Sequence, residues 1–485
     1  MAHDAAVDAH YRTALALQRA GHLEESRNAY LTLVGTGKML DIALHDLGYL
    51  AYAQDDFVKA EAYFAAAHAI NPASVSAMTN LAATCKQLGK HQACLDASEK
   101  ILLIEPDNPA ALNCKGSALL GMHRYDEALP VFRRVVEIAP EFIEGHANLA
   151  STLKALNRIE EALPVFQRIY AAKPDYALGN FNYATALLKL GDYLRGFEMF
   201  EWRWKSVLAI GVRDFGKPLW LGDMPLDGRT ILLHQEQGIG DAIQFCRYVP
   251  MVAELGANVI LRVDDSLVRL LAGRWPRVRV IGKGEPWPDD FDCHSPLMSL
   301  PLAFKTELRT VPFSQSYLQA DPGISAVWAE RIGARKKPRI GLVWSGRAEY
   351  TVDALRSIRL ADLPELDMNR YEVFSLQKEV RDIDAAELAR RGYQHAGALL
   401  ADFADTAALV SAMDLVISVD TAVAHLAAAL GKPVWMLLST NSDWRWLCDR
   451  EDSPWYATVR LFRQKHQGDW GDVFLRVREA LSVGI

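Results

Sequence analysis

The sequence predicts a superhelical arm of α-helical repeats, followed by two α/β domains that are each built around a parallel sheet. Similar residue types recur every 34 positions through about the first 205 residues. From about residue 211, short apolar segments alternate with amphipathic ones, which is typical of strands and helices in a parallel sheet. This alternation starts again at Arg339 after the basic run 334–337, so we expect two such domains.

The composition is that of a globular protein with several domains. The chain has 485 residues, of which 50% are hydrophobic and 23% charged, and this length exceeds what one core usually holds. The net charge of -7 argues against nucleic acid as a partner. The six cysteines are widely spaced and form no CxxC pair, so we expect reduced, buried thiols rather than zinc sites or disulfides.

The sequence contains no segment typical of a membrane protein. Its first residues, MAHDAAVDAHYRTALAL, include acids and no apolar core, unlike a signal peptide. No run approaches the roughly 18 uncharged apolar residues that a membrane-spanning helix needs. We therefore expect a cytoplasmic protein without a membrane span.

The 34-residue period is visible in several aligned columns. One column contains Pro72, Pro106, Pro140 and Pro174. A turn column contains Gly21, Asp55, Gly89, His123, Asn157 and Gly191. A small-residue column contains Ala14, Gly48, Ala82, Gly116, Ala150 and Ala184, and an aromatic column contains Tyr30, Phe64, Ser98, Phe132, Phe166 and Phe200. Small residues should let paired helices approach closely, and the aromatic ring should fill the space toward the next repeat.

These columns closely resemble the tetratricopeptide repeat, a helix-turn-helix unit. Five repeats are clear between about residues 7 and 176, and a sixth extends to about 205, which predicts a repeat domain at 7–207. Trp202 and Trp204 should seal its last repeat against the next domain.

Such solenoids bind partners along a concave groove, where polar side chains of the first helices can hold the backbone of a peptide. The candidates for this groove are Asn80, Asn148, Asn182, Lys115 and Asn180. They predict a protein or peptide partner. The alternative is that each belongs to a solvated polar face.

The two α/β domains are predicted at 211–330 and 338–485. The strands expected in the first are Thr230–His234, Asn258–Val263 and Val278–Gly282. The strands expected in the second are 339–344, 371–376, 414–419 and a strand after Gly431.

A first candidate site lies at the turn between the strand Thr230–His234 and the next helix. Gly238 and Gly240 would let the backbone approach a ligand, and a helix start favours an anion. The run is a poor dinucleotide fingerprint, because the third glycine of GxGxxG is missing. The alternative interpretation makes Asp241 a helix-terminal acid that satisfies free backbone amides.

A second candidate site follows the predicted strand 414–419. Asp420 ends the strand, and Thr421 and His425 lie four residues apart on one side of the following helix. Open parallel sheets bind ligands at the carboxyl ends of their strands, which favours a functional role. The alternative is that Asp420 and Thr421 cap the helix and that His425 is structural.

Together, GIGDAIQFCRYVP (238–250) and DTAVAHLAAALGKPVWMLL (420–438) resemble motifs of the ADP-heptose:lipopolysaccharide heptosyltransferase family and its bacterial relatives linked to tetratricopeptide repeats. The resemblance implies the GT-B fold, two Rossmann-like domains that face each other across a cleft. It implies that Asp241 is the catalytic base, and that Asp420, Thr421 and His425 bind nucleotide diphosphate and sugar. Ala422 stands where the family usually has glycine, and its methyl group reduces the clearance for a phosphate.

Further candidates for donor binding follow other strands of the second α/β domain. They are Trp344, Ser345, Gly346, Arg347, Gln377 and Lys378, and Arg356 with Ser357 follows soon after. Residues 441–445 follow the last strong strand and could close over a base or sugar. For Arg347 and Lys378 the alternative is a solvated surface cation, and for 441–445 it is aromatic packing. We interpret two DxD matches, 290–292 and 382–384, as surface features and not as metal ligands.

The sequence thus predicts a metal-independent, inverting glycosyltransferase that uses a nucleotide-diphospho-sugar as substrate, has no cofactor, and glycosylates a protein held by the repeats. Asp241 would deprotonate the acceptor hydroxyl. The helix start at Asp420–Thr421, His425 and a cation such as Arg347 or Lys378 would stabilise the leaving diphosphate. One alternative is a heptosyltransferase-like enzyme for a glycan or lipid-linked acceptor. Another is a non-catalytic scaffold with a degenerate GT-B module.

Overall fold

The computed structural model describes residues 2–206, 213–347 and 353–484. The chain divides into two compact units, Met1–Ala172 and Lys173–Ile485. The predicted repeat domain at 7–207 is therefore not one compact unit, because the sixth repeat groups with the two sheets.

The first unit is built of helix pairs in which each helix packs against the next. Its helices are α1 (Ala2–Arg19), α2 (Leu23–Thr36), α3 (Leu40–Ala53), α4 (Phe57–Ile70), α5 (Val75–Gln87), α6 (His91–Ile104), α7 (Pro109–Gly121), α8 (Tyr125–Ile138), α9 (Ile143–Ala155) and α10 (Ile159–Ala172). The sixth pair, α11 (Ala177–Lys189) and α12 (Tyr193–Phe200), begins the second unit, and a short 3-10 helix, Glu201–Trp204, follows it. The predicted helical repeats are confirmed.

The turn column has one backbone conformation throughout. Gly21, Gly89 and Gly191 have φ of 82°, 67° and 82°, and Asp55, His123 and Asn157 have φ of 59° to 60°. Left-handed φ is easy for glycine, and asparagine, aspartate and histidine tolerate it better than other residues. The column therefore admits only these residue types because each repeat turns its chain in the same way.

The small and aromatic columns meet inside the two repeats that contain Gly48 and Gly116. A Cβ added to Gly48 would lie 2.7 Å from the Phe64 ring, and one added to Gly116 would lie 2.6 Å from the Phe132 ring. The aromatic residue thus packs on the small residue of its own repeat. Leu81 of the next repeat also packs against the cluster that contains Phe64, as the expectation for this column requires.

The first sheet of the second unit is parallel, with strand order β3-β2-β1-β4. Its strands are β1 (Thr230–His234), β2 (Asn258–Val263), β3 (Val278–Gly282) and β4 (Cys293–Pro296). The helices of this part are α13 (Ile239–Phe245), α14 (Val249–Glu254), α15 (Asp265–Leu271) and α16 (Leu300–Ala303). In register, Thr230 lies opposite Asn258 and Ile231 opposite Cys293, so β1 is central.

The second sheet has six parallel strands in the order β10-β9-β8-β5-β6-β7. They are β5 (Arg339–Val343), β6 (Glu372–Ser375), β7 (Gln394–His395), β8 (Leu415–Val419), β9 (Val434–Leu438) and β10 (Val459–Arg463). The helices are α17 (Pro322–Ile332), α18 (Asp353–Arg356), α19 (Asp382–Arg391), α20 (Phe403–Ser411), α21 (Ala422–Ala429) and α22 (Gly471–Val483). The predicted fold class, a repeat solenoid followed by parallel α/β structure, is confirmed. The strand β4, the short edge strand β7 and the last strand β10 were not predicted.

A single apolar core joins the two sheets and the sixth repeat. It includes Tyr193 and Phe197 of α12, Ile243 and Phe245 of α13, and Leu426 of α21. Since α13 begins just after β1 and α21 just after β8, this packing brings the carboxyl ends of two central strands toward each other.

Candidate functional site

The turn after β1 carries the first candidate site, and its geometry is that of a capped helix start. Gly238 is the residue before α13, and its backbone N–H donates to Asp241 Oδ2 at 2.8 Å. One carboxylate oxygen of Asp241 therefore accepts from a free backbone amide at the helix start, as the alternative interpretation expected.

Gly240 explains why the two candidate sites are adjacent. A Cβ at this position would lie 3.0 Å from His425 Cδ2 and 3.5 Å from Ala422 Cα. Contacts near 3.0 Å are tighter than most real Cβ contacts, so glycine lets α13 and α21 approach closely. The two predicted motifs thus form one site between the sheets.

Arg445 binds the other oxygen of Asp241. Its Nη2 donates to Asp241 Oδ1 at 2.5 Å, its Nη1 donates to Asp443 Oδ1 at 2.8 Å, and its Nε donates to Gln244 Oε1. Burial opposes the charge of Arg445, but the carboxylates of Asp443 and Asp241 outweigh it and raise the guanidinium pKa. Asp241 therefore faces a permanent positive charge, while 21% of its side chain remains exposed.

Asp420 lies at the carboxyl end of β8 and is held by aromatic and histidine side chains. Its Oδ2 accepts a hydrogen bond from Trp446 Nε1 at 2.8 Å, and its Oδ1 lies 3.6 Å from His425 Nε2. Burial acts to raise the pKa of Asp420, but the contacts with His425, Trp446 and Arg356 outweigh it, so the pKa is lowered. Asp420 is therefore an ionised, oriented carboxylate.

His425 is buried on α21 and oriented from two sides. Its Nδ1 lies 2.9 Å from the Tyr456 hydroxyl, and its ring stacks on Trp446 at 5.4 Å. Thr421 precedes α21 without a side-chain capping bond, and its Oγ1 lies 3.1 Å from Ser418 Oγ.

Two of the predicted donor-binding residues, Trp344 after β5 and Gln377 after β6, are occupied within the fold. Gln377 Oε1 accepts from the backbone N–H groups of Trp344 and Ser345, at 3.2 and 3.1 Å. The Trp344 ring is fully buried. Gln377 and Trp344 therefore fix the conformation of the turn after β5.

Gly346 and the exposed cations complete this region. Gly346 N donates to Ser357 Oγ at 3.0 Å, and a Cβ at Gly346 would lie 2.5 Å from Arg356 Nη2. Arg356 Nη1 donates to the Asp420 carbonyl at 2.8 Å, which links this turn to the second candidate site. Arg347 and Lys378 are exposed, and Lys378 Nζ donates to the Ala401 carbonyl.

One DxD match is not the surface feature that we expected. Asp384 is buried, and its carboxylate accepts hydrogen bonds from Trp344 Nε1 at 2.9 Å and from Leu360 N at 2.8 Å. In the other match, Asp292 accepts from Thr230 N at the start of β1, and Asp290 is exposed beside Arg279. Within residues 2–206, 213–347 and 353–484, no group of three or more His, Cys, Asp or Glu side chains is arranged to hold a metal ion.

Two asparagines of the predicted groove, Asn80 and Asn148, link neighbouring repeats. Asn80 Nδ2 lies 2.9 Å from His45 Nε2, and Asn148 Nδ2 donates to Asn113 Oδ1 at 2.8 Å. Asn182 lies on α11, where its carbonyl accepts from Thr185.

Two other groove candidates point elsewhere. Asn180 is buried and donates to the Pro174 carbonyl at 2.6 Å, so its assignment to the groove was wrong. Lys115 is ion-paired with Glu99 of the preceding helix.

Sequence reasoning included Arg445 in the candidate segment 441–445, but it missed Trp446 and the carboxylates that these two residues bind. Arg445 and Trp446 lie in residues 441–446, between β9 and β10, and bind Asp241 and Asp420. The cluster of polar and aromatic residues directly after a buried strand was the available signal. It could not show which carboxylates these side chains would reach.

Two parts of the chain match known families. Residues 119–175 match the tetratricopeptide repeat. Residues 377–446 match glycosyltransferase family 9 (heptosyltransferase), and this segment includes Asp420, His425 and Arg445. The chain thus combines tetratricopeptide repeats with a glycosyltransferase family 9 domain. Across the described part of the chain, no helix is long and apolar enough to cross a membrane.

The chain is also similar to individual proteins. The protein FlbA of Caulobacter vibrioides is 28% identical over 501 residues, which cover 96% of this chain and 83% of FlbA. A solved tetratricopeptide repeat protein from Parabacteroides merdae is 16% identical, covers 41% of this chain and 79% of its own, and has a TM-score of 0.37. MamA from Desulfovibrio magneticus RS-1 is 16% identical over 35% of this chain and 96% of its own, with a TM-score of 0.33.

Proposed function

We propose that this chain moves a sugar from a nucleotide-diphospho-sugar to a protein acceptor, by a metal-independent, inverting reaction. The proposal starts from a chain that joins tetratricopeptide repeats to a glycosyltransferase family 9 domain. The observation that supports it is the close approach of Gly240, the neighbour of Asp241, to His425 near the carboxyl ends of β1 and β8, where parallel sheets bind ligands.

Asp241 is the proposed base. A carboxylate offers about four lone-pair sites, and Gly238 and Arg445 use two of them. The exposed part of the side chain can therefore accept the proton of an acceptor hydroxyl. The acceptor oxygen then bonds to the anomeric carbon as the bond from that carbon to the phosphate oxygen breaks. The proton stays on Asp241, and the nucleoside diphosphate leaves.

The second sheet supplies the proposed donor site. Asp420 is ionised, so we expect it to bind sugar hydroxyls and not phosphate. The backbone at the start of α21, together with Gly346, Arg347 and Arg356, would receive the diphosphate. His425 would contact the donor from α21, and its orientation by Tyr456 supports a fixed role.

The repeats supply the proposed protein site. A row of first helices offers an extended surface, much larger than a sugar requires. Asn80, Asn148 and Asn182 recur at one column of these helices, 34 residues apart or a multiple of it. A repeated amide at a repeated spacing suits a peptide backbone, which is itself a regular series of donors and acceptors.

The bond between Arg445 and Asp241 favours one rival function. An arginine that pairs with the proposed base occupies one of its two carboxylate oxygens, as expected in a scaffold that binds nucleotide sugars without transferring them. A glycan or lipid-linked acceptor has no comparable support from the described residues.

A ligand screen with a turnover assay tests the proposal. Purified full-length protein is heated with UDP-, GDP-, ADP- and CMP-sugars, and a ligand that binds the folded state raises Tm as its concentration increases. We expect one diphosphate donor to do so and to be hydrolysed slowly without acceptor. A preference for a CMP-sugar would contradict a diphosphate donor. Tight donor binding with neither hydrolysis nor transfer would favour the scaffold.

A further inference from the structure

The last repeat ends in a buried lysine that the repeat fold does not require. Lys189 is the final residue of α11 and only 3% exposed. The same column in the earlier repeats contains Arg19, Ala53, Gln87, Gly121 and Ala155, and Arg19 is exposed. Burying an ammonium group is unfavourable unless a polar group receives it. The lysine therefore points to a contact specific to the sixth repeat.

That contact is with the segment that joins the candidate site. Lys189 Nζ donates to the Ser442 carbonyl at 2.9 Å. Three and four residues later, Arg445 binds Asp241 and Trp446 binds Asp420. Lys189 thus holds the backbone from which both of these side chains extend.

Aromatic packing from the same repeat supports this segment. The Trp444 ring lies edge-on to Phe197 at 5.7 Å and to Tyr193 at 6.3 Å, both on α12. The Arg445 guanidinium in turn lies 4.5 Å from the Trp444 ring centre. Through Trp444, α12 therefore supports Arg445, the residue that binds Asp241.

The segment needs such restraint because its conformation is unusual. Leu447 and Asp449 have φ of 52° and 44°, which non-glycine residues rarely adopt. Arg463 of β10 also donates to the carbonyls of Trp446 and Leu447, at 3.0 and 3.1 Å. Lys189 of α11 and Arg463 of β10 therefore both hold the backbone of residues 441–447.

The sixth repeat also holds the loop on the Asp241 side. Arg203, in the 3-10 helix after α12, donates to both carboxylate oxygens of Glu236 at 3.1 Å. Glu236 lies two residues before Gly238, and both partners are nearly fully buried. The repeat therefore contacts each of the two segments that meet at Asp241.

We propose that Lys189 is a positioning residue for the proposed transfer, and that through it the sixth repeat holds residues 441–446 so that Arg445 and Trp446 orient Asp241 and Asp420. This inference rests on the proposed function for its catalytic consequence. The sixth repeat is then part of the catalytic unit, in agreement with the division of the chain at Lys173.

The charge of Lys189 provides a readout that does not require a variant. Burial lowers the pKa of Lys189 to about 8, Arg463 acts in the same direction, and Cys448, Asp443 and Asp449 oppose it. As pH rises through 8 the ammonium becomes an amine, whose bond to the Ser442 carbonyl is weaker. The segment 441–447 should therefore loosen at alkaline pH.

The test compares Lys189→Met with Gln87→Met in the full-length protein. Methionine keeps the length of the lysine stem without its donor, and Gln87 is the exposed residue of the same column in an earlier repeat. For Lys189→Met we expect hydrogen exchange in 441–447 to be about tenfold faster, and the KM for the donor to be about tenfold higher. Its Tm should not fall, because the variant also removes a buried charge. Gln87→Met should change none of these quantities.

Unchanged exchange in 441–447 and unchanged donor KM in Lys189→Met would overturn the inference. If that variant does not fold, hydrogen exchange of the unmodified protein is measured instead at pH 7 and pH 9. The measured rates are corrected for the effect of pH on the intrinsic exchange rate. Protection of 441–447 that falls relative to 415–419 supports the inference, and constant relative protection overturns it. The exchange measurement needs no donor. A protein that binds no nucleotide sugar yet loosens as expected would therefore contradict only the proposed function.

Discussion

Asp241→Asn should reduce sugar transfer by about two orders of magnitude or more, the usual effect of losing a positioned base. Nucleotide binding should remain, because the proposed donor contacts lie on the second sheet. The prediction depends on the two contacts that the carboxylate makes in the structure.

The same contacts determine how the variant should affect stability. Asp241 accepts one hydrogen bond from Gly238 N at 2.8 Å and one from Arg445 Nη2 at 2.5 Å. Asparagine offers one acceptor oxygen, so its NH2 group must face one of these two donors. Losing one such bond beside a buried arginine should lower the free energy of unfolding by about 1–3 kcal/mol. This is a modest loss, which should leave the protein folded.

Asp443→Asn is the matched control. Asp443 also accepts a bond from Arg445, at 2.8 Å, so this variant likewise leaves Arg445 with one carboxylate fewer. Transfer is measured at saturating donor, and nucleotide binding is measured by calorimetry. We expect Asp443→Asn to lose less than about tenfold in rate. A parent-like rate for Asp241→Asn would refute the proposed base, and equal losses in both variants would show that the effect passes through Arg445.

Three further predictions concern metal, donor and acceptor. Transfer should continue in EDTA, whereas activity that returns only with Mn²⁺ would overturn the metal-free proposal. His425→Ala should weaken nucleotide-sugar binding in calorimetry, because the ring is fixed beside Asp420; unchanged affinity would make it structural. Deletion of residues 1–172 should leave donor binding and slow donor hydrolysis intact while transfer to the protein acceptor falls strongly, since unit two begins at Lys173. Replacing Asn80, Asn148 and Asn182 by alanine should have the same effect, and full transfer by either protein would show that the repeats do not recognise the acceptor.

The repeats could be predicted from the sequence because their causes are local. A turn that always needs left-handed φ restricts one column to glycine, aspartate, histidine and asparagine. The Phe64 ring lies where a Cβ at position 48 would be 2.7 Å away, so this position requires glycine. These constraints recur every 34 residues, so the pattern reveals them without knowledge of any other part of the chain.

The strands and the two candidate motifs were also accessible from the sequence. Buried parallel strands such as β1 and β8 are short apolar runs, and glycines or acids follow them where backbone must turn at the sheet edge. The residue types at 238–241 and 420–425 therefore indicated the location of a site. They did not indicate its internal contacts.

Only the tertiary structure decided which side chains meet. Arg445 reaches Asp241 across 204 residues, and Lys189 reaches Ser442 across 253. It also decided that Gln377 is used to hold the turn after β5, and that Asp384 is buried. A hydrogen bond between distant residues leaves no periodic trace, because its partners are brought together by the packing of whole elements. The sequence by itself therefore determined the repeats and indicated the sheets and a candidate site, whereas the arrangement of charge around Asp241 and Asp420 follows from how those elements pack.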